Sequence, residues 1–159
     1  MSNRPKVPHQ TTLWVRDCCL CLHVQRAARA LARRFDEVLR PLGLTNGQFS
    51  LLMSLNQPQP PPMAVVASLL AMDRTTLTAA LKPLERRGLV TVAPGPGDRR
   101  SRLTALTPKG TTLLARAVPI WERTHLDIEG LLPDGDPNRL RSNLRALSGT
   151  GKNPSCASE

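Results

Sequence analysis

Apolar residues recur at helical spacing along most of this chain. From residue 21 to residue 42 they step by three and four, the heptad-like pattern of a helix packed along another helix, at Cys21, Val24, Ala28, Leu31, Phe35, Val38 and Leu42. We therefore predict a long helix from about Thr12 to Arg40. Thr45 has the side chain of an N-cap, and a second helix from there to about Leu55 would bury Phe49, Leu52, Met53 and Leu55.

Between Met63 and Gly110 the spacing changes from helical to alternating. Val65, Val66, Leu69 and Leu70 predict a helix, Asp73 is placed to cap the next one, and the inner stripe of that next helix is Leu77, Leu81 and Leu84. Gly88 suits a left-handed C-cap. Residues 89–92 and 102–106 then alternate as strands around a Pro-Gly turn with a basic tip. This order predicts a winged helix-turn-helix.

Prolines and caps divide the rest of the chain. Residues 56–62 are proline-rich and predict a stiff spacer between helices. A helix is expected over residues 108–129, with a bend at Pro119, and another from Asp136 to Leu147 with an apolar edge at Leu140, Leu144 and Leu147. The fold class is mainly α with a small β-hairpin. Its expected parts are a flexible arm (1–11), an N-terminal dimerisation helix (12–44), the winged region (45–110), C-terminal dimerisation helices (111–148) and a flexible tail (149–159).

Charge narrows the choice of partner. The chain has 22 Lys and Arg against 12 Asp and Glu, a net charge of +10, which favours a polyanion such as nucleic acid. No apolar run approaches the roughly 20 residues of a membrane span, and the N-terminus lacks the apolar region of a signal peptide, so we expect no membrane partner and a cytoplasmic protein. No nucleophile–base spacing, phosphate loop or metal motif appears, so neither an enzyme nor a cofactor or metal site is predicted.

The outer face of the helix after Asp73 carries short hydroxyl and cationic side chains. Such groups bind phosphates and base edges, and the candidate DNA contacts are Arg74, Thr75, Thr76, Thr78 and Lys82. Thr76 lies next to the buried stripe, so its hydroxyl has capping the helix as an alternative role. Pro83 removes a helical hydrogen bond and predicts a kink near residues 79–82, which puts the reach of Lys82 in doubt.

Several motifs in this order resemble the MarR family of bacterial transcription regulators. They are Asp73-Arg74-Thr75-Thr76-Leu77-Thr78, Leu84-Glu85-Arg86-Arg87-Gly88-Leu89-Val90, Asp98-Arg99-Arg100 and Leu106-Thr107-Pro108-Lys109-Gly110. The resemblance implies a homodimer built by the terminal helices, a near-palindromic double-stranded DNA operator, and repression relieved by an inducer, for which a small apolar or phenolic molecule would suit. It also implies that Asp98 braces the wing, that Arg100 enters the minor groove, and that Arg99 contacts phosphate or solvent.

Three cysteines crowd at positions 18, 19 and 21. Cys21 falls where the peroxide-sensing branch of the family carries its reactive cysteine, but the chain has no tyrosine to hydrogen-bond a thiolate. We expect a buried packing cysteine, with a thiol-gated regulator as the alternative. A further alternative is a winged helix used as a non-specific nucleic-acid or protein-interaction module.

Overall fold

A computed structural model describes residues 6–95, 102–133 and 135–149 of the chain. Within that part the backbone forms helices at both ends and one antiparallel hairpin. The helices are α1 (His9–Cys18), α2 (Leu20–Leu39), α3 (Asn46–Ser54), α4 (Met63–Leu69), α5 (Arg74–Arg86), α6 (Pro108–Glu129) and α7 (Pro137–Leu147), and the strands are β1 (Val90–Pro94) and β2 (Arg102–Leu106). The predicted fold class, mainly helical with one small hairpin, is confirmed.

Side-chain caps fix where several helices begin. The Thr45 hydroxyl accepts from the Gln48 N–H at 3.2 Å, and the Gln48 side chain accepts in return from the Thr45 N–H, which completes a capping box. Asp136 caps α7 through the Arg139 N–H at 2.9 Å. These bonds satisfy N–H groups that have no partner inside the helix. Both starts were predicted from the residue type alone.

The predicted single helix from Thr12 to Arg40 is wrong in one respect, because it is broken at Cys19. That residue has an extended backbone, with φ −75° and ψ 105°, and separates α1 from α2. Its N–H still donates to the Val15 carbonyl and its carbonyl accepts from the His23 N–H. Helix α1 also begins at His9, inside the stretch predicted as a flexible arm.

The core lies where the C-terminal half of α2 meets α3, α5 and α6. The predicted stripe of α5 is buried, with Leu77 and Leu84 at 0% exposure and Leu81 at 2%. In α3 the prediction that Met53 is buried is wrong, since its side chain is 39% exposed. Leu51 takes that inward position instead.

Strand β2 pairs with β1 on one edge and is covered on its other edge by the segment before α4. Strands β1 and β2 pair in register from Val90 opposite Leu106 to Pro94 opposite Arg102. On the outer edge of β2 the Thr104 N–H donates to the Pro61 carbonyl at 3.3 Å, and Pro62 forms a bridge with Leu103. The predicted spacer between α3 and α4 therefore also packs along the sheet.

Helices α6 and α7 meet around a small polar cluster. The rings of Trp121 and His125 are stacked with their centroids 4.6 Å apart, and the Glu129 carboxylate lies 2.9 Å from the His125 Nε2. Arg141 of α7 forms an ion pair with the same carboxylate. This contact fixes the start of α7 against the end of α6.

Prolines occur inside two helices without ending them. Helix α5 continues through Pro83 to Arg86, and α6 continues through Pro119 to Glu129. The kinks expected at these prolines stay predictions. In the described ranges no single helix has the length and apolar character needed to cross a membrane; α4 and α5 reach it only when joined, and the chain bends by 102° between them.

Candidate nucleic-acid interface

Helices α4 and α5 form a helix-turn-helix. The 102° bend between them lies in the range of about 90–120° found in such motifs. The turn is made by Ala71, which has a left-handed backbone with φ 50°, and it is closed by the Met72 N–H donating to the Ala67 carbonyl at 2.9 Å. The bend directs the first turn of α5 away from α4.

The first turn of α5 is fixed by Asp73. One carboxylate oxygen accepts from the Thr76 N–H at 2.8 Å and the other accepts from the Thr76 hydroxyl at 2.6 Å. The Thr76 hydroxyl, followed by the backbone N–H groups, holds the pKa of the Asp73 carboxyl below its ordinary value. Thr76, one of the predicted DNA contacts, therefore has its hydroxyl proton bound within the cap.

The outer face of α5 presents the other predicted contacts to solvent. Arg74, Thr75, Thr78 and Lys82 are all exposed, on the side away from the buried leucines. The Thr78 hydroxyl donates its proton to the Arg74 carbonyl at 2.8 Å. In this rotamer it offers lone pairs rather than a proton, so it suits an amino group on a base edge better than a phosphate oxygen.

A groove of about 360 Å³ separates this face from the hairpin. Its apolar floor includes Leu81 and Val92, and its polar wall comprises Arg74, Thr78, Lys82, Glu85 and Arg102. The structure thus adds Arg102 to the residues found from the sequence. Alternation along β2 could have indicated it, because Arg102 shares a strand face with the buried Thr104. A groove walled by three cations and one carboxylate is complementary to a polyanion.

The wing residues predicted to act beside this groove, Asp98, Arg99 and Arg100, lie outside the described residues. The strands on either side of these residues are described. Each strand is five residues long, and the last pair in register is Pro94 with Arg102. Arg102, one residue of that last pair, also lines the groove.

Cys21 differs from its prediction. Its side chain is exposed on the described chain, not buried, and Cys18 is exposed as well. The sulfur has a hydrogen-bond donor, the Gln25 amide, at 3.2 Å. The Gln25 oxygen in turn accepts from Arg29 at 3.2 Å. In the single chain, the Cys21 side chain is therefore neither buried nor without a donor. Its role, in packing or in thiol gating, stays a prediction. Elsewhere in the described part no group of three or more His, Cys, Asp or Glu side chains is placed to hold a metal ion.

Large apolar side chains remain exposed on the terminal helices. Helices α1 and α7 have no buried residue at all. The exposed set on α1, α2, α6 and α7 comprises Trp14, Val15, Leu20, Val24, Leu31, Leu126, Leu140, Leu144 and Leu147. Nine large apolar side chains exposed on the terminal helices indicate an interaction surface.

Comparisons with known proteins agree with this geometry. A model of the MarR family matches residues 44–101. The chain is 31% identical over 101 residues to the organic hydroperoxide resistance transcriptional regulator of Bacillus subtilis, covering 64% of this chain and 69% of that protein. Its fold is similar to that of the M. tuberculosis transcriptional regulator MosR in complex with DNA, with a TM-score of 0.75 and 36% identity over 83% of this chain and 95% of that one. It is also similar to Bordetella bronchiseptica BpsR, whose DNA binding is regulated by 6-hydroxynicotinic acid, with a TM-score of 0.73 and 27% identity over 81% and 92% of the two chains.

Proposed function

The chain belongs to the MarR family of transcription regulators, and from this premise we propose that it is a homodimeric repressor that binds a near-palindromic double-stranded DNA operator. The observation that carries the proposal is the exposed face of α5, where Arg74, Thr78 and Lys82 line one groove with Arg102 of the hairpin. A dimer bound across a promoter excludes other proteins from that DNA, which is why repression is proposed. With DNA as its partner, the protein acts in the cytoplasm.

We assign the contacts by their position on α5 and the wing. Arg74 and Thr75, in the first turn, meet base edges, and Lys82 contacts a phosphate. Thr76 acts through the cap rather than on DNA, because its hydroxyl already donates to Asp73. In the wing, Arg100 enters the minor groove, with Asp98 as its brace and Arg99 on the phosphate backbone.

The dimer is supported by the exposed apolar residues of the terminal helices. Leu140 and Leu144 of α7 are 42% and 41% exposed, and Leu31 of α2 is 38% exposed. A second copy that covers these positions removes them from water, and the twofold symmetry of the pair places two α5 helices on DNA. The half-sites of the operator are then about one helical turn apart.

An inducer is part of the proposal, and BpsR is a relative with a small aromatic effector. We propose a small apolar or phenolic molecule bound between the dimerisation helices and the winged region. Such a ligand releases DNA only if it binds more tightly to the form in which the two α5 helices no longer match the operator.

The test is a specificity measurement on the wild-type protein. Duplexes bound from a random pool define the operator, and affinity for operator and scrambled duplex is then measured across a salt series. We expect a near-palindrome and a ratio of at least about 10³ between the two affinities. Equal affinities that fall together with salt would contradict the proposal and favour a non-specific nucleic-acid module.

Thiol gating is a second candidate, favoured by the exposed Cys21 with its Gln25 donor. An accessible thiol is open to oxidation to a sulfenic acid, which adds a polar oxygen to the apolar seam of α2. We expect Cys21→Ser to bind the operator like wild type under reducing conditions and to stay bound at a peroxide concentration that releases wild type. Release of both proteins, or of neither, would rule out gating through Cys21.

A further inference from the structure

We infer that Lys109 and Arg87 are positioning residues that set the angle of α5 against the dimerisation helices, and that they thereby determine which spacing of half-sites the protein accepts. The inference rests on the proposed dimeric function. It concerns the C-terminal end of α5, beyond Lys82, which none of the DNA-contact assignments includes.

Arg87 ties the end of α5 to the end of α2. It is the C-cap residue of α5, and its guanidinium donates to the Gly43 carbonyl at 2.8 Å, across 44 positions of sequence. Gly43 ends the short 3-10 turn that follows α2, and its left-handed φ of 64° turns its backbone towards Arg87. This bond therefore joins the end of α5 to the turn that follows α2, the longer of the two N-terminal helices of the described part.

Lys109 ties the same end of α5 to the start of α6. Its ammonium, in the first turn of α6, donates to the Arg87 carbonyl at 2.8 Å. The Thr107 hydroxyl, which caps α6, donates to the next carbonyl, that of Gly88, at 2.7 Å. Carbonyls at a helix C-terminus carry partial negative charge, so a cation is favoured there. The turn that follows α2 and the first turn of α6 thus both bind one residue, Arg87.

Close backbone packing adds to these hydrogen bonds where the end of α5 meets α6. At Gly110 a Cβ atom would lie 2.0 Å from the Leu89 carbonyl oxygen, so the backbones of α6 and the start of the hairpin are in direct contact. Helices α2 and α6 also pack against each other. The fixed end of α5 therefore belongs to the rigid part of the molecule, and Arg74 lies at the opposite, DNA-facing end.

Because α5 is long, a small change in its angle shifts Arg74 relative to the base pairs of DNA. Helix α5 has 13 residues, and from Arg87 to Arg74 it spans about 20 Å at 1.5 Å per residue. A tilt of about 10° at the fixed end moves Arg74 by about 3.4 Å, which is one base-pair step. Contacts that resist such a tilt make the dimer selective for one half-site spacing. When these contacts are lost, the dimer also accepts spacings one base pair longer or shorter.

The experiment compares operator spacings. Affinity is measured for the selected operator and for versions with one base pair added or removed between the half-sites. Lys109→Met removes the ammonium and keeps the aliphatic stem, Lys109→Arg restores a donor, and Arg116→Met is the matched control. Arg116 is an exposed cation on α6 that lines the same surface as Arg87 and Lys109.

We expect Lys109→Met to reduce the preference for the natural spacing by about threefold to tenfold, from the loss of one charge-assisted hydrogen bond. Lys109→Arg and Arg116→Met should keep the wild-type preference. If Lys109→Met weakens all spacings by one common factor, or if Arg116→Met relaxes the preference equally, the inference is overturned. A wild-type protein that binds as a monomer to a single half-site would instead refute the dimeric function itself, and this shows without any variant.

Discussion

Replacement of Arg74 by alanine tests whether the first turn of α5 meets base edges. The hydrogen bonds that cap α5 join the Asp73 carboxylate to the N–H and the hydroxyl of Thr76. Alanine is also a strong helix former, so the variant should keep the fold. The change therefore removes one guanidinium from the exposed face and keeps both capping residues, Asp73 and Thr76.

The size of the effect follows from what the guanidinium is proposed to bind. A bidentate contact with a guanine contributes about 1–3 kcal/mol of discrimination, so operator affinity should fall about 5- to 150-fold. Scrambled DNA should lose much less, because it loses only one cation near the backbone. Lys82 is eight residues further along α5, about 12 Å by helix rise, and the same groove includes both side chains.

Lys82→Ala is therefore the matched control. Both variants and the wild type are titrated with operator and scrambled duplex across a salt series, by anisotropy of a labelled duplex. Arg74→Ala should collapse the ratio between operator and scrambled affinity. Lys82→Ala should keep that ratio and lower the salt slope by about one. An unchanged ratio in Arg74→Ala would refute the assignment of this turn to base edges, even if the protein still binds DNA.

Three further outcomes are expected. Light scattering should give twice the 17.4 kDa of the chain, and Leu144→Glu, which charges an exposed apolar position of α7, should give a monomer. Gly110→Ala should lower the free energy of unfolding by about 2–3 kcal/mol in a urea titration, because its Cβ would overlap a carbonyl oxygen, whereas Gly47→Ala, with open space around it, should not. The Glu129 carboxylate beside His125 is paired with Arg141, so burial first, and then that guanidinium, lower the pKa of His125 below its unfolded value. The folded state therefore disfavours protonation, and stability should decline as pH falls below roughly 6.5. His125→Phe, which keeps a ring against Trp121, should reduce that decline.

Local chemistry made much of the fold predictable. Asp73 and Asp136 are capping residues followed by helical spacing, and their helices begin where the sequence predicts. The bounds of β2, Arg102–Leu106, also match, because alternation over five residues next to a Pro-Gly turn has few other solutions. The exposed positions of α5 followed from one buried leucine stripe, which fixes the opposite face.

The missed features depend on contacts that no local pattern records. The break at Cys19 involves neither proline nor glycine, and nothing in its neighbours signals an extended backbone. Helix α3 is apolar on several sides, so its spacing does not distinguish Met53 from Leu51 as the inward residue. The two bonds of Arg87 span 44 and 22 positions, and only the assembled fold brings their partners together.

The proline spacer has a consequence for how the protein avoids self-association through its sheet. A two-stranded hairpin leaves backbone groups free on its outer edge, and another chain can pair there and begin aggregation. Here the Pro61 carbonyl accepts a hydrogen bond from the Thr104 N–H, and Pro62 lies opposite Leu103. Because proline has no N–H, this third segment covers β2 while offering fewer donors on which a further strand could extend the ladder. The proline-rich spacer between α3 and α4 thus also protects one edge of the small sheet.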